Sequence, residues 1–537
     1  MRSTTVSSTL ALLVAGTCAE AAATAPEAPP LFPRAVAGDG FLSVPVGTVK
    51  APYNIGAKRK RAANAIDVEL ENKDFFYAVE LGIGTPPQSV TVLVDTGSSE
   101  LWVNPDCSTA RSRAQTLQCQ SFGQYSPNKS KTPPVGPFGR EQINYGDPSD
   151  ESTLTSVNIR YYLDNITFGK AQIKNQTFGV VESSKGQSQG IMGLAPDLKG
   201  GFAGTQPYSL LLNTMAEQGV IASRVFSMDL RHSDSETGAL IYGGLDRNKF
   251  IGSLQKQPFV NGIQGEFRLA VNVDTLGITQ SKSKSFKLAA DDASFMLDSG
   301  TTLTRMHAAA AEPILDALGA EDDGEGYYYV PCGLRNSGGT VDFGFGGKII
   351  KVPFSDFIMG DESARDTQYC PVGLVLTTDQ QILGDTVLRA GYFVFDWDNQ
   401  EVHIAQAANC GSDDIVSVGK GTNAVLDVQG NCKAGGATFT APPTATATRS
   451  FPTAAYTTAY TVTSCPSFDL SCQTGLVTTQ TVHPAQQTGG SGGGNGGGSG
   501  GGSGSGGGNK NAGARPEALG WVFTIFGVLA AVCSISL

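Results

Sequence analysis

From about Asn72 to Cys410 the apolar residues recur in short runs of period two, broken by Gly, Pro, Asn and Asp. A strand points successive side chains to opposite faces of a sheet, so this alternation predicts half-buried strands closed by turns. Val90-Thr91-Val92-Leu93-Val94 and Tyr392-Phe393-Val394-Phe395-Asp396 are representative, and regular strand patterning is expected from Phe75 onward. Helical spacing is rare and clearest over residues 208–218 and 307–318. The expected class is all-β with a few short helices. Beyond Cys410 the pattern loosens: Thr, Ala and Pro dominate residues 437–463, and 489–508 are nearly pure Gly, Ser and Asn. Such segments cannot bury a core and read as a flexible tether whose Thr-rich part suits O-glycosylation.

Both ends carry processing patterns. Met1-Arg2, an apolar stretch from Leu10 to Val14 and small residues at Thr17-Cys18-Ala19 read as a secretory signal over residues 1–19. A Pro- and Ala-rich segment, 20–61, ends in Lys58-Arg59-Lys60-Arg61, read as a pro-segment that a processing protease removes by cutting after Arg61. The apolar run Trp521–Leu537 has no basic residue after it and small residues before it, which reads as a glycolipid-anchor signal (512–537) with Asn511 as the attachment residue. A membrane span would carry a basic cytoplasmic flank. Between these ends lie a body over 62–410, a Cys-containing, Thr-rich stalk over 411–488 and a Gly/Ser linker over 489–511. The expected location is the cell surface, at the plasma membrane or cell wall, with shedding as an alternative.

Composition narrows the chemistry. Charged residues make up only 16% of the chain, which argues against a charge-driven nucleic-acid binder. The net charge is -11, and residues 1–61, with seven bases and three acids, leave the remainder at -15. An acidic body hints at work in acid medium or on cationic partners. Of ten cysteines, Cys18 and Cys533 lie in segments expected to be removed. The other eight suggest bridges between Cys107 and Cys119, Cys332 and Cys370, Cys410 and Cys432, and Cys465 and Cys472. Four scattered histidines and no Cys-x-x-Cys leave little for a zinc site, and no metal or cofactor is expected. Sequons begin at Asn128, Asn165 and Asn175, each a candidate surface glycosylation site.

The candidate chemistry is duplicated. Leu93-Val94-Asp95-Thr96-Gly97-Ser98-Ser99 puts an acid at the end of an apolar strand before a tight turn, and Met296-Leu297-Asp298-Ser299-Gly300-Thr301-Thr302 repeats it 203 residues later. Ile191-Met192-Gly193 and Ile382-Leu383-Gly384 follow the acid of their own halves. The repeat implies two lobes, about 62–250 and 251–410, each contributing one carboxylate. Two carboxylates that share one proton can activate a water and protonate an amide carbonyl, which peptide hydrolysis requires.

With these motifs in view, the chain resembles the pepsin family of aspartic proteases over roughly Asp74 to Cys410. The likeness includes Gly84-Thr85-Pro86-Pro87-Gln88, Leu101-Trp102-Val103, Ile143-Asn144-Tyr145-Gly146, Tyr242-Gly243-Gly244-Leu245-Asp246 and Val394-Phe395-Asp396. The signal, dibasic pro-segment, stalk and anchor signal make it most similar to the yapsin-type, surface-held fungal members. The resemblance implies a bilobal fold with the active site between the lobes, peptide or protein substrates and a monomeric chain. It implies Asp95 and Asp298 as the catalytic pair, with Thr96 and Ser299 bracing the two loops across the lobe interface. Ser98 and Thr301 would bond the outer carboxylate oxygens, while Gly97 and Gly300 let backbone N–H groups approach. Tyr145 and Gly146 would lie in a substrate-covering flap, with Trp102 as the tyrosine's partner. Ser299 departs from the Thr of the first half but keeps the hydroxyl.

A pepsin-like fold can also lose its activity and survive as a binding protein, or serve in a structural wall glycoprotein; both acids and both Gly turns are intact here. After Gly146 the flap continues as Asp147-Pro148, placing an acid where many relatives are neutral. Asp-Pro is also a common turn dipeptide. Similarity to fungal relatives that accept basic residues implies cleavage next to Lys or Arg, assisted by Asp147.

Overall fold

The computed structural model describes residues 34–50, 75–132, 134–146, 153–196, 208–231, 237–262, 267–280, 283–289, 292–324, 326–360, 369–425 and 428–433, together with the paired strands Tyr456–Thr461 and Val477–Val482. Strands dominate, as the alternation predicts. Strand Gln88–Asp95 departs from simple alternation because a core packs on each of its faces: Val90, Val92 and Val94 lie in one buried cluster and Leu93 in another.

Each half sets its acid-bearing strand in the same surroundings. In the first, Gln88–Asp95 runs parallel to Gly190–Gly193, with Asp95 level with Gly193. Strand Leu101–Val103 is antiparallel to Gly190–Gly193 on its other side and parallel to Ala171–Lys185. In the second, Ser294–Leu297 runs parallel to Ile382–Leu383, which pairs antiparallel with Thr304–Met306, itself parallel to Tyr369–Leu376. The Ile-Met-Gly and Ile-Leu-Gly repeats are thus the strands laid against the acids. Buried apolar residues of both halves join one core, from Leu42 and Val92 through Phe226 to Phe295, Leu383 and Phe395.

Two expectations of extent are corrected. Strand order begins before Phe75: Leu42–Lys50, inside the segment read as a pro-segment, lies between strands Thr237–Tyr242 and Phe75–Ile83. Its Leu42, Val44 and Val46 are buried, an alternation obscured by Pro45 and Gly47, residues that ordinarily weaken a strand. The folded body also continues past Cys410. Strand Ile415–Ser417 pairs with Gly244–Asp246, Ile251 bridges Cys432, and Val418 and Val425 are buried.

Helices are few and short. Leu211–Glu217 is shorter than the pattern predicts, and Ala308–Leu318 follows His307 as its N-cap and ends on Gly319 at φ 63°. An unexpected helix, Arg113–Ser121, starts where the Ser112 hydroxyl accepts from Gln115 N–H. Disulfides join Cys107 to Cys119, Cys332 to Cys370 and Cys410 to Cys432. Cys465 and Cys472, like Arg61 and Asn511, lie outside the described residues. Asn128 and Asn175 are exposed. Asn165 is buried, its side-chain oxygen accepting from Asn175 N–H, so it is not the surface acceptor its sequon suggests.

Because Leu42 is buried in the middle of the large sheet, Leu42→Ala should destabilise the unprocessed chain by about 2–5 kcal/mol. Val36→Ala, at a side chain 60% exposed, should leave its melting temperature nearly unchanged. Thermal denaturation of the two variants is the check.

Candidate active site

The two turns after the acid strands meet face to face. The Thr96 hydroxyl donates to Leu297 O at 2.7 Å and accepts from Ser299 N–H at 2.9 Å. Reciprocally, the Ser299 hydroxyl donates to Val94 O at 2.8 Å and accepts from Thr96 N–H at 3.2 Å. Both side chains are fully buried, so each hydroxyl satisfies backbone groups of the opposite half that would otherwise be orphaned. This lattice needs only a hydroxyl on a short stem, which is why Ser serves in one half and Thr in the other.

Asp95 and Asp298 sit directly above it. Gly97 N–H donates to Asp95 Oδ1 at 2.8 Å and the Ser98 hydroxyl to Oδ2 at 2.5 Å. Gly300 N–H donates to Asp298 Oδ1 at 2.7 Å and the Thr301 hydroxyl to Oδ2 at 2.7 Å. Each carboxylate also lies over the other half's glycine: a Cβ on Gly97 would stand 2.6 Å from Asp298 Cγ, and one on Gly300 2.5 Å from Asp95 Oδ1. Only glycine leaves room for this approach. Burial first, and the neighbouring Asp298 second, push the Asp95 carboxyl up from 3.8 to about 7, against the opposing bonds from Ser98 and Gly97. One proton is therefore retained in the pair well above the ordinary carboxylate range.

A cleft of about 320 Å³ opens over the pair. Tyr145 closes one side from the end of strand Val135–Tyr145, half-buried, with its hydroxyl accepting from Trp102 Nε1–H at 2.7 Å. Burial holds the Tyr145 phenol well above its ordinary value, so it stays neutral beside the carboxylates. Gly146 follows at φ 106°, where a Cβ would stand 2.5 Å from Thr153 O, turning the chain towards the return strand Thr155–Phe168. Asp147 lies outside the described residues.

Residues 76–407, which contain both acid turns, the reciprocal hydroxyls and the linked Trp102 and Tyr145, match the family described as eukaryotic aspartyl protease. The chain belongs to that family. It is 34% identical to secreted aspartic protease 1 of Candida albicans over 71% of this chain and 93% of the relative. It is 31% identical to the probable aspartic-type endopeptidase opsB of Aspergillus oryzae, over 68% of this chain and 76% of that protein. Yapsin-3 of Saccharomyces cerevisiae is 30% identical over 70% of this chain and 75% of its own length. The protease is thus an aspartic-type endopeptidase, and a yapsin stands among its relatives, as the resemblance implies.

The protease's cleft also holds residues that sequence reasoning passes over. Arg268, Arg305, Asp379 and Gln380 line it from the second half. Arg111, in the Cys107–Cys119 loop, lines it from the first. No one-dimensional signal marks the second-half residues, because they reach the cleft through sheet register. His307 holds the rim: Nδ1 lies 3.0 Å from Asp292 Oδ1 and Nε2 3.0 Å from Asp379 O. Among the described residues, Asp396, Glu401 and His403 also cluster with ligand-like spacing, but none lines the cleft, and Lys256 pairs with Glu401.

The raised Asp95 carboxyl has a sign in stability. Between pH 3.8 and about 7 the folded protease keeps a proton that the unfolded chain releases, so stabilisation is complete below about pH 4 and lost as pH rises towards 7. Asp95→Asn removes that linkage. The fall in melting temperature between pH 4 and pH 7 should be smaller in Asp95→Asn than in wild type; equal falls would place the retained proton elsewhere.

Proposed function

We propose that the protease is a secreted, surface-held acid endopeptidase in which Asp95 and Asp298 hydrolyse peptide bonds next to Lys or Arg. The observation that carries the catalytic part is the face-to-face placement of the two carboxylates, each over the other's glycine and each bonded by two donors. With one proton between them, the ionised partner takes a proton from an attacking water, and the protonated partner hydrogen-bonds the substrate carbonyl oxygen as it gains charge. The proton belongs to the pair, so neither acid has a fixed role at rest. Sharing of one proton is established for aspartic proteases as a class. Activity needs the singly protonated pair, and the raised Asp95 carboxyl puts loss of the second proton near neutrality, which supports an acid optimum.

Thr96, Ser299, Ser98 and Thr301 act as positioning residues, and Tyr145 and Gly146 form the flap, with Trp102 anchoring it. Asp147 follows Gly146 in sequence, and an acid there would pair with a basic substrate side chain in a partly desolvated cleft. The signal, the cluster ending at Arg61 and the uncharged apolar terminus support passage through the secretory pathway, removal of the pro-segment and lipid attachment near Asn511. The exposed Asn128 and Asn175 are the sequons proposed to carry glycan.

Asp95→Asn and Asp298→Asn should each reduce peptide hydrolysis by more than a thousandfold while the chain remains folded and secreted, measured on matched peptides at acid pH. Substantial residual activity in either would overturn the assignment of the pair. For Asp147, wild type and Asp147→Asn are compared on peptides with Lys or Leu before the scissile bond. A loss of roughly tenfold confined to the Lys peptide is expected, the scale of one charge-assisted pair. Equal losses on both peptides, or no basic preference in wild type, would make Asp147 a turn residue.

A further inference from the structure

His307 stands behind the second-half wall of the cleft in a setting that a neutral imidazole does not satisfy. Its Nδ1 is 3.0 Å from Asp292 Oδ1, and its Nε2 is 3.0 Å from Asp379 O. An ionised carboxylate oxygen and a backbone carbonyl oxygen both accept, and neither donates. Neutral imidazole has one N–H and one bare lone pair, so in either tautomer the lone pair points at an acceptor. The imidazolium donates to both.

The contact joins parts of the wall that lie far apart in sequence. His307 follows strand Thr304–Met306 and caps helix Ala308–Leu318, whereas Asp379 belongs to the turn between strands Tyr369–Leu376 and Ile382–Leu383. Asp379 and Gln380 line the cleft. Gln381 fixes the frame around the ring: its Oε1 accepts from His307 N–H at 3.0 Å, and its Nε2 donates to Asp292 O at 2.9 Å. With both of those residues anchored through their backbones, a change in the ring's protonation falls on its hold over the Asp379 carbonyl. The side chains of His307 and Asp292 are each 23% exposed, so water relieves an acceptor-to-acceptor contact there only in part. The other charged residues on the elements around the ring are Arg305 on the preceding strand, Glu312 and Asp316 on the helix, and Asp379 itself on the turn.

We infer that His307 is a positioning residue for the peptidase: as an imidazolium it clamps the Asp379 carbonyl and sets the Asp379–Gln380 stretch of the substrate-binding wall, and on losing one proton it releases that stretch. In the neutral ring Nδ1–H keeps the charge-assisted bond to Asp292, and Nε2 presents its lone pair to the carbonyl. The inference rests on the peptidase reading. It adds a pH dependence that acts on substrate binding, separate from the proton held by the catalytic pair.

The test uses the full secreted chain carrying Asp95→Asn, so that binding is read without cleavage and without the shared proton of the pair. The probe is a fluorescent peptide that wild type cuts at acid pH, blocked at both ends and free of Asp, Glu and His. Its Kd, from fluorescence anisotropy, should be about tenfold larger at pH 7.5 than at pH 5, an interval in which imidazole side chains change charge. Adding Asp292→Asn should keep the Kd at its pH 5 value throughout, because an amide at that position donates to a neutral Nδ1 and leaves Nε2–H for the carbonyl. Adding His307→Gln instead, whose amide nitrogen donates at any pH, should also bring the ratio of the two Kd values to about one; if that chain is not secreted, Asp292→Asn decides alone. A Kd independent of pH in the Asp95→Asn chain, or a ratio that persists with Asp292→Asn, would overturn the clamp. So would equal weakening at both pH values by Asp292→Asn, which would mark a purely structural role. If wild type fails to cut the peptide, the peptidase reading falls and the clamp with it.

Discussion

Two carboxylates have to be held together in a buried cleft although their charges repel, and the rest of the structure follows from this constraint. Two unit charges about 4 Å apart at an effective dielectric near 20 repel by about 4 kcal/mol. A typical hydrogen bond contributes roughly 1 kcal/mol net, somewhat more when it serves a charge. The four bonds to Asp95 and Asp298 are therefore of the same order as the repulsion, and one retained proton removes it. The raised Asp95 carboxyl expresses that balance.

The braces beneath the pair explain why the fold is duplicated. Thr96 and Ser299 are buried and each bonds the opposite half, so neither turn can move without orphaning polar groups in its partner. Each turn is carried in turn by an acid strand laid parallel to an apolar-Gly strand. The floor is braced by these reciprocal bonds, and the covering hairpin is held near its turn end by the bond between Trp102 and Tyr145.

Charge is distributed against the average. The chain is acidic overall, yet the cleft lining includes Arg268 and Arg305 from the second half and Arg111 from the first. Net charge governs solubility and long-range steering, whereas specificity depends on the few charges that a substrate displaces from water. The composition alone points towards cationic partners, whereas which charged groups line the cleft is decided by the fold.

Much of the fold and of the site was legible in one dimension, because its determinants are local. Alternation gave the strand class, and the Asp-Thr-Gly and Asp-Ser-Gly turns marked both acids, since a sharp turn with close backbone approach demands glycine within two residues of the acid. Cysteine proximity matched the three described disulfides. Strand Leu42–Lys50 escaped because Pro45 and Gly47 lower local propensity while sheet neighbours on both sides supply the stabilisation. The burial of Asn165, the packing of residues 411–432 onto the body and the arginines of the cleft wall were likewise decided only by tertiary structure. Each depends on which distant strand lies alongside, and register between strands far apart in sequence leaves no periodic mark on either one.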